Sequence, residues 1–247
     1  MKKAGWKNFL ILGVVAALVT VGTAGGMVQR KATKEAFVPA RMPKYQLILD
    51  AGHGGEDGGA VSVTGVPESN INLAVVLRLD QLLGFYGLSP ILIRDRDISI
   101  YDAGCTTLRQ KKVSDLKNRV SMIEATENAV VISIHQNTFS NSAYHGAQVF
   151  FRAEGESEAL AKLAQKALQE GVDPGNKRTP TKIPDSVYLM KHITCPAILV
   201  ECGFLSNPAE EEKLRNEGYQ TQLALCVASA WLRSGELGTG NGTEAVI

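Results

Sequence analysis

The chain has 247 residues, 45% hydrophobic and 21% charged, with a formal net charge of +1. That balance fits a globular protein with one sizeable core and gives no hold to a nucleic-acid partner. Four cysteines, Cys105, Cys195, Cys202 and Cys226, are too few and too irregularly spaced for a disulfide scaffold. They read as core thiols. Cys195 and Cys202 flank an apolar strand, so a zinc-thiolate pair is conceivable, but their spacing matches no common zinc knuckle.

Lys2, Lys3 and Lys7 precede an uncharged run over residues 9–28. About 20 such residues can cross a bilayer as a helix, while Gly22, Thr23 and Ala24 offer small residues that a signal peptidase accepts. Residues 1–28 are therefore expected to be a signal or membrane anchor. The lysines hold that end in the cytoplasm, which places the body outside it. Residues 29–44 read as a polar linker, 45–234 as the globular domain and 235–247 as a flexible, glycine-rich tail.

Strand-like apolar runs follow at residues 45–49, 90–93, 129–134, 147–151 and 197–200, with a weaker sixth at 187–190. Helical periodicity lies between them. Ile71, Val75, Leu79 and Leu82 share one face, Val113, Leu116, Val120 and Ile123 a second, and Leu160, Leu163, Ala164, Ala167 and Leu168 a third. A last helix carries Leu223, Val227, Ala230 and Trp231. The alternation predicts a single α/β domain, a mostly parallel (mixed) sheet of about six strands with helices on both faces. Two irregular stretches, 95–112 and 171–185, read either as functional loops near the site or as disordered insertions. The basic part of the second, around Lys177 and Lys182, is suited to touching substrate or a partner protein.

Two strands end in histidine. Asp50-Ala51-Gly52-His53-Gly54-Gly55 closes the first, and Ser133-Ile134-His135-Gln136-Asn137 closes the third. Parallel strands in an open α/β sheet present their carboxyl ends at one edge, where ligands bind. Each histidine alone is explained by a turn or a core position; together they suggest a metal. The third ligand should be a nitrogen or oxygen donor on a rigid element nearby, and Glu68, at the start of a helix, suits it. By itself Glu68 is equally explained as a charge favouring the helix dipole. Glu201 closes the most apolar strand, where a carboxylate is costly without a cation or hydrogen bonds. Beside a metal it would serve as a general base; otherwise it is a salt-bridged structural residue.

These motifs, in this order, resemble the zinc-dependent N-acetylmuramoyl-L-alanine amidases. The likeness runs from Tyr45 to about Leu232 and rests on Leu49 to Gly55, Glu68 with Asn72-Leu73, Ser133-Ile134-His135, and Val200-Glu201-Cys202-Gly203-Phe204-Leu205-Ser206-Asn207. The resemblance implies that His53, Glu68 and His135 bind one zinc ion per chain and that Glu201 is catalytic. The substrate would be peptidoglycan, cut between the lactyl group of N-acetylmuramic acid and L-alanine, with backbone N–H groups of Gly54 and Gly55 as candidate oxyanion donors. Residues 114–120, Tyr188-Leu189-Met190 and a short body without wall-binding repeats resemble the germination-specific cortex amidases of spore-forming bacteria. That implies a role in spore cortex maturation for muramic δ-lactam formation, a location between the forespore membranes, and an accessory sporulation protein as partner. Ala51, Asn70 and Gln136-Asn137 depart from the family pattern. Asn70 bears on a hydrogen bond to a ligand, and Gln136 and Asn137 on substrate contacts. His145 and His192 match no ligand position and read as a loop and a strand-end residue. The rivals are a wall-binding module without turnover and a zinc peptidase acting on stem-peptide bonds.

Overall fold

The computed structural model describes residues 45–237. The expected anchor and linker lie outside the described residues, as does the tail beyond 237. Among the described residues no helix is long and apolar enough to cross a membrane.

Six strands, β1 (Gln46–Ala51), β2 (Ile91–Leu92), β3 (Ala129–Asn137), β4 (Gln148–Phe151), β5 (Thr181–Lys182) and β6 (Ala197–Phe204), form one sheet in the order β2-β1-β3-β6-β4-β5. The pairs β1–β2, β1–β3 and β3–β6 are parallel, whereas β4 runs antiparallel to β6 and carries β5 parallel to itself. Among the described residues six helices accompany them: α1 (Glu68–Phe85), α2 (Leu108–Glu124), α3 (Glu156–Gly171), α4 (Tyr188–His192), α5 (Pro208–Arg215) and α6 (Glu217–Leu237).

Central strands of a sheet covered on both sides read as continuous apolar runs because each residue is buried on one face or the other. On one face Leu47, Leu49, Ile132, Ile134, Ile198 and Val200 pack with Val75 and Leu79 of α1, Leu160 and Ala164 of α3, and Leu223 and Val227 of α6. On the other, Ile48, Val131, Ala197 and Leu199 meet Ile123 of α2 and Leu189 and Met190 of α4. Helices therefore cover both faces, as the alternating pattern predicts.

Three local expectations are corrected. Residues 188–190 belong to a helix that follows the extended Val187, not to a strand: one helical turn brings Leu189 and Met190 into the second core. The sixth strand is instead Thr181–Lys182, exposed at the sheet edge, where two polar residues carry no periodic signal. The irregular stretch 95–112 is shorter than its sequence suggests, because α2 already begins at Leu108. Thr107 caps it, accepting from the backbone N–H of Gln110 while the Gln110 side chain reaches back.

The third correction concerns which face of α2 is buried. Val113, Leu116, Val120 and Ile123 were the apolar candidates, yet Val113 is 44% exposed and only Ile123 of the four is fully buried. The inward face holds Ser114, Asp115, Arg119 and Ile123. Its polarity answers a charge on the sheet. Asp50 on β1 is buried and ion-paired with Arg119, which also pairs with Asp115 at 2.7 Å. Ser133 on the neighbouring strand donates to the other Asp50 oxygen at 2.6 Å. A buried carboxylate needs such partners, and they outweigh the amphipathic preference of the helix.

Candidate active site

β1 delivers His53 to the carboxyl edge of the sheet, and the loop beyond it is shaped by tight contacts. A Cβ on Gly52 would lie 2.2 Å from the His135 ring, and one on Gly54 would lie 2.2 Å from the Ile98 carbonyl. These glycines admit a neighbouring imidazole and a neighbouring loop. His53 itself sits in the left-handed region at φ 61°, uncommon for a side chain with a Cβ. Two buried arginines hold this conformation by its carbonyls. Arg94 donates to Ala51 and Gly52, and Arg119 donates to Ala51 and, at 2.7 Å, to His53.

Glu68 opens α1. Its N–H donates to the Ala60 carbonyl at 2.8 Å, and its Oε2 accepts from the Ala60 N–H at 3.0 Å. Oε1 accepts from Asn72 Nδ2 at 3.1 Å and from the Gln136 N–H at 3.1 Å, and lies 2.9 Å from His135 Nδ1. His53 Nε2 is 3.4 Å from Oε2, while its Nδ1 is 3.0 Å from Asp57 Oδ2. Burial pushes the Glu68 carboxyl up, but the hydrogen bond and charge of His135, the charge of His53 and the Ala60 amide outweigh it and hold it at about 2. Burial pulls His135 down; its bond to Glu68 and that charge outweigh this and raise it above its ordinary value.

One donor atom each of His53, Glu68 and His135 lies within 4.8 Å of the others, the only such group of His, Cys, Asp or Glu among the described residues. Two imidazole nitrogens and an ionised carboxylate oxygen are the donor set of an open zinc site, and an Asp–His contact such as Asp57–His53 is the usual support of a histidine ligand. The residues fit the ion.

Glu201 lies directly across from His135 in the β3–β6 pairing. Its Oε2 is buried and has no hydrogen-bond partner. Burial pushes its carboxyl up, the His135 charge offsets this in part and the Glu68 charge adds to it, leaving it at about 7. The salt-bridged alternative is thereby removed: no ion pair involves Glu201 among the described residues. A basic carboxylate without a proton donor of its own is poised to take a proton from a bound water.

Several subsidiary expectations change. The N–H of Gly54 donates to the Asp57 carbonyl at 2.8 Å and that of Gly55 to Asp97 Oδ1 at 2.8 Å, so neither is free to meet an oxyanion. Gln136 is buried and donates to Asn72 Oδ1 at 3.1 Å, which puts it behind the ligands and away from substrate. Asn70 is exposed; Asn72 supplies the bond to Glu68. His192 ends helix α4, stacked on Tyr188, and His145 lies in a loop. All four cysteines are free, and none joins the cluster. The roles of Asp57, Asn72, Arg94 and Arg119 went unassigned from the sequence, although Asn72 stands in the Glu68 motif and Arg119 within residues 114–120. Asn72 alone had a signal, its i,i+4 spacing from Glu68 on one helix face.

The chain belongs to the N-acetylmuramoyl-L-alanine amidase family, whose sequence profile matches residues 47–232. It is a peptidoglycan amidase. Within the family it is 32% identical over 235 residues to the germination-specific N-acetylmuramoyl-L-alanine amidase of Bacillus subtilis, covering 94% of this chain and 95% of that protein. Among solved structures it is similar to the CwlD amidase of Clostridioides difficile in complex with the GerS lipoprotein, with 38% identity and a TM-score of 0.75 over 78% of this chain and 100% of that one. An N-acetylmuramoyl-L-alanine amidase from Clostridium difficile 630 follows, with 27% identity and a TM-score of 0.68 over 81% and 100%.

Proposed function

We propose that this enzyme hydrolyses the amide between N-acetylmuramic acid and L-alanine in a zinc-dependent reaction, with His53, Glu68 and His135 as the metal ligands and Glu201 as the general base. The observation that carries the reading is the unpartnered, buried Glu201 oxygen on the strand beside His135. Zinc bound there would supply a Lewis acid that acidifies water and polarises the scissile carbonyl. Glu201 takes the proton of the attacking water and returns it to the departing alanine amine. Asp57, Asn72 and the Gln136 amide keep the ligands in place, and Arg94 and Arg119 fix the loop behind them.

The setting we propose is the spore cortex, where removal of stem peptides precedes muramic δ-lactam formation. The likeness to a germination-specific amidase over nearly the whole of both chains supports this. Residues 1–28 would tether the enzyme outside the cytoplasm, between the forespore membranes. A lipoprotein is the accessory partner that suits such a place, since a similar amidase was solved bound to one.

Mass analysis of purified cortex and vegetative peptidoglycan after digestion tests the reading. The amidase releases stem peptides with a free L-alanine amine, and from cortex in preference. A peptidase would leave alanine on muramic acid, and a binding module would release nothing.

A further inference from the structure

The basic stretch after α3 places one cation beside the site. Arg178 Nη1 donates to Gln148 Oε1 at 2.7 Å, its Nε donates to the His145 carbonyl at 2.9 Å, and its guanidinium lies 4.7 Å from the centre of the Phe204 ring. Gln148 is the residue opposite Glu201 in the antiparallel β4–β6 pairing. Paired residues project from the same face, about 5 Å apart. Arg178 is therefore held one strand beyond the proposed base.

Its position is built. Gln169 Nε2 donates to the carbonyls of Asn176 and Arg178, both at 2.9 Å, and buried Asn176 accepts from the Arg178 N–H at 2.9 Å while donating to the Ala147 carbonyl at 2.7 Å. Gln148 Nε2 donates to the Thr179 carbonyl and the Thr181 hydroxyl, which turns Oε1 toward the guanidinium. Yet every partner is neutral. Among the described residues Arg178 joins no ion pair, and its Nη2 has no acceptor. A half-buried guanidinium left with donors free is suited to a carboxylate, which it can grip with two parallel hydrogen bonds.

We infer that Arg178 binds a carboxylate of the substrate's peptide, an assignment that rests on the amidase reading. Where the second stem residue is D-glutamate joined through its side chain, its α-carboxylate stays free. That group lies one residue beyond the alanine whose amine departs, and two residues reach about 7 Å, comparable to the cross-strand spacing of about 5 Å between the paired Glu201 and Gln148 followed by the 2.7 Å bond from Arg178 to Gln148. Arg178 is then a specificity determinant that separates free from amidated stems.

The test is equilibrium binding of the full-length protein to the tripeptide L-Ala-γ-D-Glu-L-Lys with its α-carboxylate free or as the carboxamide. The free acid should bind about tenfold tighter, the scale of one charge-assisted pair. Arg178→Gln should bring the free acid down to the affinity of the amide, and Arg178→Lys should keep part of the preference. Equal binding of the two peptides by the unaltered protein would overturn the inference, whatever the variants do. So would a variant that weakens both peptides alike, since that marks a merely structural arginine. Discrimination between the peptides without cleavage of muramoyl amides would sink the proposed reaction and leave this site standing.

Discussion

Arg119 donates from Nη2 to the backbone carbonyl of His53 at 2.7 Å, so a buried cation on α2 stands directly behind a proposed metal ligand on β1. The same guanidinium neutralises Asp50 and Asp115, all three side chains being buried. Site geometry and core stability thus share one residue.

Replacing Arg119 with methionine keeps bulk but leaves two buried carboxylates uncompensated. Breaking a buried pair in this way costs about 3–5 kcal/mol. Urea unfolding of the variant should show a loss of that size, together with weakened metal binding. A loss below about 1 kcal/mol, the scale of an exposed pair, would mean that the network contributes little.

Asn72 ties Glu68 Oε1 to the Gly52 carbonyl through one amide group, at 3.1 Å in each case. Asn72→Leu should therefore leave the fold intact and lower zinc affinity by about 10–100-fold, the usual effect of losing a residue that orients a ligand. Chelator competition measures this directly. Unchanged affinity would show that Gln136 and Ala60 suffice to orient the carboxylate.

At Gly52 the constraint is steric. Any Cβ would overlap the His135 ring, which is part of the site and cannot withdraw without giving up its contact with Glu68. Gly52→Ala should reduce zinc occupancy at equal protein concentration, with most of the secondary structure retained by circular dichroism. Full occupancy and full activity would show that His135 has freedom to move.

Glu201 sets a pH signature in the metal-free protein. Its carboxyl is raised from 4.5 to about 7 by burial, so the folded state favours the protonated form. The sign follows: no penalty below the unfolded value, and a full penalty for the desolvated anion above about 7. Stability should fall across that window by about 3 kcal/mol as the anion forms. Glu201→Gln should remove this part of the slope, while His135 contributes its own. In the loaded enzyme the base must be ionised, so turnover should decline as pH falls. Because a bound cation favours the anion, the midpoint should lie below about 7. If Glu201→Gln and the parent show the same pH dependence of unfolding, the raised carboxyl is not Glu201.

How legible this was in the sequence depended on what each residue's neighbours supply. His53 follows β1, Glu68 begins α1, and His135 and Glu201 lie two and three residues before the ends of β3 and β6; a parallel sheet collects such ends at one edge, so the cluster could be anticipated. The long apolar strands were equally plain. Arg119 could not be found, because its role depends on Asp50 across the sheet, 69 residues away, and the outer face of α2 offered a convincing apolar pattern instead. The glycines of the His53 loop were visible, but what they make room for was not. Their tight neighbours, His135 and the Ile98 carbonyl, come from distant segments that no local pattern announces. Residues 187–190 were too few for period 2 and period 3.6 to be told apart.

In the proposed reaction Glu201 supplies the proton transfer at a metal held by other residues. Paired zinc analysis and stem-peptide release for Glu201→Gln test it most directly. The variant should hold one zinc per chain, as in the parent, with amide cleavage reduced by at least about 10²-fold, the lower scale of general-base catalysis. Parent-like cleavage by the zinc-loaded variant would contradict it.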